Sequence, residues 1–132
     1  MPALGMRHVA LNVKDPQKSK DFYVRVLRMR VAWEPDSDNV YLSTDGQDNI
    51  ALHKTRSGSG VAGNQLLDHI GFFVSQPEEL DEWYNHALVN GAKITREIAS
   101  HRDASRSFYL EDPDGISIQI LFHPQVAKNT FS

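Results

Sequence analysis

The chain has 132 residues, with 14 Lys+Arg against 17 Asp+Glu, six His and no cysteine. That length is enough for one domain to bury a core unaided, and 40% hydrophobic with 23% charged residues is the balance of a folded chain, not a disordered one. A net charge of −3 argues against nucleic acid or an anionic membrane as partner, since both require a basic face. The lack of cysteine excludes a disulfide framework, a thiolate metal site and a cysteine nucleophile. Met1 to Arg7 lack the apolar core of a signal peptide, and no apolar run reaches the roughly eighteen residues needed to span a bilayer. A soluble, cytoplasmic protein is expected.

Val9, Leu11 and Val13 alternate with His8, Ala10 and Asn12, which predicts a strand over 7–13. Asp15-Pro16 supplies an N-cap followed by proline at the first helical position, and Ser19, Phe22, Tyr23, Val26 and Leu27 then fall on one face of a helix. Short strands are expected near 29–34, 38–44 and 48–54. Glycine and serine mark 55–66 as a linker or mobile loop. A second strand-and-helix pair follows: a strand over 69–74, Ser75 as the cap, Pro77, and a helical face of Leu80, Trp83, Tyr84, Ala87 and Leu88. Gly91 stands where a left-handed C-terminal cap belongs. Strands near 93–99, 105–111 and 116–122 complete the pattern, with the turn Asp112-Pro113-Asp114-Gly115 before the last of them. Residues 124–132 read as a frayed tail.

The chain repeats itself. His8-Val9-Ala10-Leu11-Asn12-Val13 parallels His69-Ile70-Gly71-Phe72-Phe73-Val74, a spacing of 61 from 8 to 69 that also brings Pro16 onto Pro77 and Leu27 onto Leu88. Later the spacing is 68, with Tyr41-Leu42 falling on Tyr109-Leu110 and Ile50 on Ile118. The expected fold is therefore α+β, built from two βαβββ modules over about 6–54 and 67–123. In each module one strand face packs on its helix. The other carries His8, His53, His69 and Gln119 with small residues between them, as suits a ligand or metal pocket. Trp33, Tyr41, Phe73 and Tyr109 belong either to that pocket's lining or to the core. His53 reads either as a hydrogen-bonding residue or as a further ligand. His86 and His101 are expected to meet solvent, and His123 to belong to the frayed tail. Arg96, Arg102 and Arg106 either grip an anionic substrate or are ordinary surface charge.

The motifs His8-Val9-Ala10-Leu11, Asp21-Phe22-Tyr23 with Leu27, Asp68-His69-Ile70-Gly71-Phe72, and Phe108-Tyr109-Leu110-Glu111-Asp112-Pro113-Asp114-Gly115-Ile116-Ser117-Ile118-Gln119-Ile120 together resemble the vicinal oxygen chelate superfamily, also called the glyoxalase/bleomycin-resistance/dioxygenase family. The resemblance covers about residues 6–123, with Arg28 where that family usually has glycine. It implies one domain over 1–132, whose two modules form a cupped, mixed eight-stranded sheet with the helices outside. It also implies a divalent metal (Fe, Mn, Ni or Zn) held at the positions of His8, Ala51, His69 and Gln119. Ala51 cannot ligate, which argues against a four-ligand glyoxalase I arrangement. His8, His69 and Gln119 instead match the three ligand positions of ring-cleaving dioxygenases and fosfomycin-resistance enzymes, with an amide in place of a glutamate. Ala51 then lines the pocket, and His53 is a possible extra ligand. The missing carboxylate weakens a hard-metal site and removes the obvious general base, so the catalytic residues stay unassigned. The resemblance supports a metal-dependent enzyme acting on a small oxygen-rich molecule, or else a metal-free protein that sequesters a small ligand, as bleomycin-binding relatives do. It further implies a homodimer whose sites are shared between chains.

Overall fold

The alternation that starts at His8 forms β1 (His8–Val13), and Asp15 begins α1 (Pro16–Arg25). These elements belong to a computed structural model that describes residues 1, 3–55, 67–124 and 126. The linker expected over 55–66, Thr55 excepted, and most of the expected tail lie outside the described residues. Three strands follow α1: β2 (Arg30–Asp36), β3 (Asn39–Ser43) and β4 (Asn49–Lys54). The second module has β5 (Ile70–Phe73), α2 (Glu79–Val89), β6 (Lys93–Ser100), β7 (Arg106–Glu111) and β8 (Ser117–Phe122). The chain divides into two units, Met1–Gly63 and Asn64–Ser132, each an α+β βαβββ module.

Each unit holds one four-stranded mixed sheet, ordered β1-β4-β3-β2 in the first and β5-β8-β7-β6 in the second. In both, the first and last strands of the module pair in parallel and the other neighbours are antiparallel. The parallel pair requires a long crossover connection, and the helix lies within it.

One face of each sheet is apolar. In the first unit Leu11, Val13, Val40, Leu42, Ile50 and Leu52 are buried, as are Phe22, Tyr23, Val26 and Leu27 around α1. In the second, Phe108, Leu110, Ile118 and Ile120 are buried together with Leu80 and Ala87 of α2, and the Tyr84 ring meets Phe108 edge-on at 5.4 Å. Each such aliphatic or aromatic side chain contributes roughly 1.5–3 kcal/mol on burial, so these faces drive folding.

Local signals hold α1. Asp15 Oδ1 accepts from the Gln17 and Lys18 N–H groups at 3.1 and 3.2 Å, a cap that stabilises by about 1 kcal/mol. The turn before β8 is built on the buried Asp112, whose Oδ1 accepts from the Asp114 and Ile116 N–H groups at 2.9 and 2.8 Å while Gly115 takes a positive φ of 85°. Ser75 differs from expectation: it does not cap α2. A turn with i→i−3 bonds from Glu79 N–H to Gln76 O and from Leu80 N–H to Pro77 O delays the helix to Glu79. The Glu79 carboxylate reaches back instead, accepting from Ser75 Oγ at 2.5 Å and Gln76 N–H at 2.9 Å.

Three histidines expected in solvent or in a frayed end also have partners. His86 lies edge-on to Trp83 at 5.9 Å, His101 Nε2 is 3.3 Å from Ser107 Oγ, and His123 Nε2 is 3.3 Å from Asp103 Oδ2. None of the helices among the described residues is long and apolar enough to cross a membrane.

Candidate metal and ligand site

Because one face of each sheet packs on its helix, the residues at alternate positions are left on the other. In the first unit the register pairs His8 with Asn49, Ala10 with Ala51, Asn12 with His53, and Ala51 with Tyr41, which in turn faces Trp33. His8, Ala51, His53, Tyr41 and Trp33 therefore share a face. Ala51 is buried by its neighbours, and its methyl group offers no donor.

The hydrogen bonds on this face settle which imidazole nitrogen is available. His8 Nδ1 lies 2.7 Å from Asn49 Oδ1. The Asn49 amide is oriented by its Nδ2, which donates to Leu42 O at 3.4 Å, so the atom facing His8 is the carbonyl oxygen. An amide oxygen only accepts, so Nδ1 must carry the proton and the lone pair lies on Nε2. His53 is held in the same way: its Nδ1 is 2.7 Å from Asn39 Oδ1, and Asn39 Nδ2 donates to Asp36 Oδ1 at 2.9 Å. The His53 ring also meets Tyr41 edge-on at 5.8 Å. His53 stands four residues beyond Asn49 on β4, about 13 Å at the rise of a strand. The structure thus groups His53 with Tyr41 and not with His8.

In the second unit Gly71 pairs with Gln119, Gln119 with Tyr109, and Tyr109 with Arg96, one row across all four strands. His69, just before β5, lies on this face: its ring meets Tyr109 edge-on at 5.5 Å. His69 Nδ1 is 2.6 Å from Asp68 Oδ2, and a carboxylate only accepts, so in the neutral imidazole the lone pair is on Nε2. Phe73 shares the face and is 50% exposed; Trp33, on the corresponding face of the first unit, is 60% exposed. These two aromatics are not core residues. Tyr41 and Tyr109 are half-buried beside them.

Among the described residues, no three His, Cys, Asp or Glu side chains gather as a metal cage. Each unit is left with its own potential donors on this face: His8 Nε2 in the first, and His69 Nε2 and the Gln119 amide in the second. Imidazole nitrogens suit a borderline ion such as Zn, Ni or Fe better than a hard one such as Mg, Ca or Mn.

Asn49 and Asp68 are the histidine partners that sequence reasoning missed. Asn49 is 41 residues from His8, and only the β1–β4 register brings the two together. Of the three arginines before the last hairpin, Arg106 is structural, donating to Pro77 O at 3.1 Å and to Asp81 at 3.4 Å. Arg96 lies over the Tyr109 ring.

Paired βαβββ modules with polar groups on the sheet face away from each helix define a class of small-molecule-binding proteins and enzymes. The family model for the Glyoxalase/Bleomycin resistance protein/Dioxygenase superfamily matches residues 5–120, and the chain belongs to that superfamily. Metallothiol transferase FosB of Staphylococcus saprophyticus is 27% identical to it over 123 residues, covering 88% of this chain and 75% of that protein. A glyoxalase/dioxygenase from Nostoc punctiforme has a similar structure, with a TM-score of 0.78 and 22% identity, covering 92% of each chain. Lactoylglutathione lyase from Agrobacterium tumefaciens matches with a TM-score of 0.74 and 18% identity, covering 92% of this chain and 96% of its own. At such identities the structural likeness speaks to the fold.

Proposed function

We propose that the protein is a metal-dependent enzyme of the dioxygenase or lyase/transferase kind, acting on a small molecule with two neighbouring oxygens. His8, His69 and Gln119 would hold the ion. The observation that carries this reading is the matched treatment of two histidines at repeat-equivalent positions: each has Nδ1 bound to an oxygen acceptor and Nε2 left as a donor. Ligating histidines are commonly held in this way, through the other ring nitrogen. A bound dication would act as a Lewis acid, polarising the substrate oxygens it chelates. Asn49 and Asp68 orient the rings. Gly71 pairs with Gln119, and a Cβ there would press on Leu121 Cδ2 at 3.1 Å. The relative named as a metallothiol transferase is consistent with metal chemistry on this fold. We further propose a twofold homodimer with each site shared between chains.

The test is elemental analysis of untagged protein purified without chelator, for the wild type, His8→Ala and Gln119→Glu. The expected result is near-stoichiometric Fe, Mn, Ni or Zn in the wild type, loss in H8A, and at least about tenfold tighter binding in Q119E, where an anionic oxygen replaces a neutral one. No metal in the wild type, even after soaking with Fe(II), Mn(II) and Zn(II), overturns the reading.

One observation favours a second reading, metal-free sequestration of a planar ligand. Trp33 is exposed and lies against Tyr41 at 5.0 Å with a 30° tilt, a preformed aromatic surface that asks nothing of the neutral donor set.

A further inference from the structure

Arg96 lies in the same row of the second sheet as Gln119, two strands away, with Tyr109 between them. Its guanidinium carbon is 5.1 Å from the centre of the Tyr109 ring, the ring that His69 meets edge-on. The β6–β7 register shifts on both sides of Arg96, between Ile94 and Arg96 and again between Arg96 and Ala99. Such irregularities re-aim a strand side chain.

The carboxylates nearby are committed elsewhere. Glu97, next in sequence, bonds to the Tyr84 hydroxyl. Glu111 pairs with Lys93 at 3.3 Å, and Asp68 pairs with His69. Among the described residues no ion pair or hydrogen bond is made by the Arg96 guanidinium, whereas Arg106 is occupied by Pro77 and Asp81. A guanidinium over a ring face keeps its N–H groups available, and these can take an oxyanion by paired hydrogen bonds.

We propose that Arg96 binds an oxyanion group of the substrate, a carboxylate or a phosphonate, at the end remote from the chelated oxygens. The substrate is thus a small anionic molecule whose body lies over Tyr109 and spans about 10 Å, two strand spacings. The chelated end rests on the metal-dependent reading above; the anionic end rests on Arg96 alone.

The test follows binding of phenylacetate, phenylphosphonate and the neutral phenylacetamide to the full-length protein by NMR titration, metal-stripped and again after Zn(II) addition. In metal-stripped wild type at least one anion is expected to bind about fivefold more tightly than the amide, and the tighter of the two assigns the oxyacid. Arg96→Gln removes that preference, Arg96→Lys keeps part of it, and Arg102→Gln, a charge loss in the loop after β6, leaves it intact. A preference undiminished in R96Q, or lost equally in R102Q, overturns the assignment. If Zn(II) does not bind but the Arg96-dependent preference persists, the metal reading fails and the anion site stands. If Zn(II) binds and R96Q changes nothing, the reverse holds.

Discussion

Asn49 and Asp68 do for two histidines what the histidines cannot do alone, which is to choose a tautomer. Both are near the surface, and an exposed contact such as Asp68–His69 adds little to stability. Their removal should therefore leave folding nearly intact and weaken the proposed metal binding. Asn49→Ala and Asp68→Ala are expected to lower Zn(II) affinity by about 10- to 100-fold with little change in urea midpoint, as measured by competition with a chelating dye. Affinities equal to wild type would show that these bonds do not prepare ligands. Asp48 is the opposite kind of residue, structural and pH-sensitive. Half-burial opposes its charge, but hydrogen bonds outweigh that: Oδ1 accepts from the Thr44 N–H at 2.6 Å and from Ser43 Oγ at 3.0 Å, and the carboxyl is held below its ordinary value of 3.8. A carboxylate whose folded value is depressed stabilises fully above 3.8, and that contribution is lost as pH falls through the lower folded value. Asp48→Asn should then cost about 1 kcal/mol in urea unfolding at neutral pH, with the gap from wild type shrinking as the solution is acidified below pH 3.8.

At the scale of elements, the two helices end differently, and the difference is measurable. Arg28 follows α1 with φ 58°, and the Met29 N–H reaches back six residues to Tyr23 O at 3.0 Å. Gly91 does the corresponding work after α2 with φ 74°. A side chain in the left-handed region is strained, so Arg28→Gly should raise stability by about 0.5–1 kcal/mol, with part of the relief offset by glycine's greater freedom in the unfolded chain. Gly91→Ala should lose about 1 kcal/mol; an added Cβ meets nothing within 4 Å, so the cost is in the backbone. Paired denaturation curves decide both. The helix ends and strands were legible in sequence because each element buries one face, as with Leu11 and Val13 against His8 and Asn12. The start of α2 was not. Ser75-x-Pro77 looks like the Asp15-Pro16 cap, but the side chain that closes the turn is Glu79, four residues on. For the site, alternation placed His8 and Gln119 on the faces turned from the helices, yet their partners depended on register. Nothing local announces that Asn49 will lie across from His8, that Arg106 will bond a carbonyl 29 residues away, or that Arg96 will lie over Tyr109.

At the scale of the whole molecule, the proposed sharing of sites between two chains has a consequence that no single variant reveals. Each chain carries one His8 and one His69 in different units. If His8 of one chain joins His69 and Gln119 of the other, a heterodimer of His8→Ala with His69→Ala places both alanines in one site and both native histidines in the other. Mixing the two inactive variants under conditions that exchange subunits should then restore about a quarter of the wild-type Zn(II) capacity, since half of a random mixture is heterodimer and half of its sites are whole. Sites built within one chain would stay broken at any mixing ratio, because every chain lacks one ligand. The measurement is bound Zn(II) per chain after partial denaturation and refolding of the mixture, with each variant refolded alone as the baseline. Recovery that grows with the product of the two variant fractions identifies exchange between chains. A flat response places each site within a single chain and removes the shared-site dimer while leaving the ligand assignment itself standing.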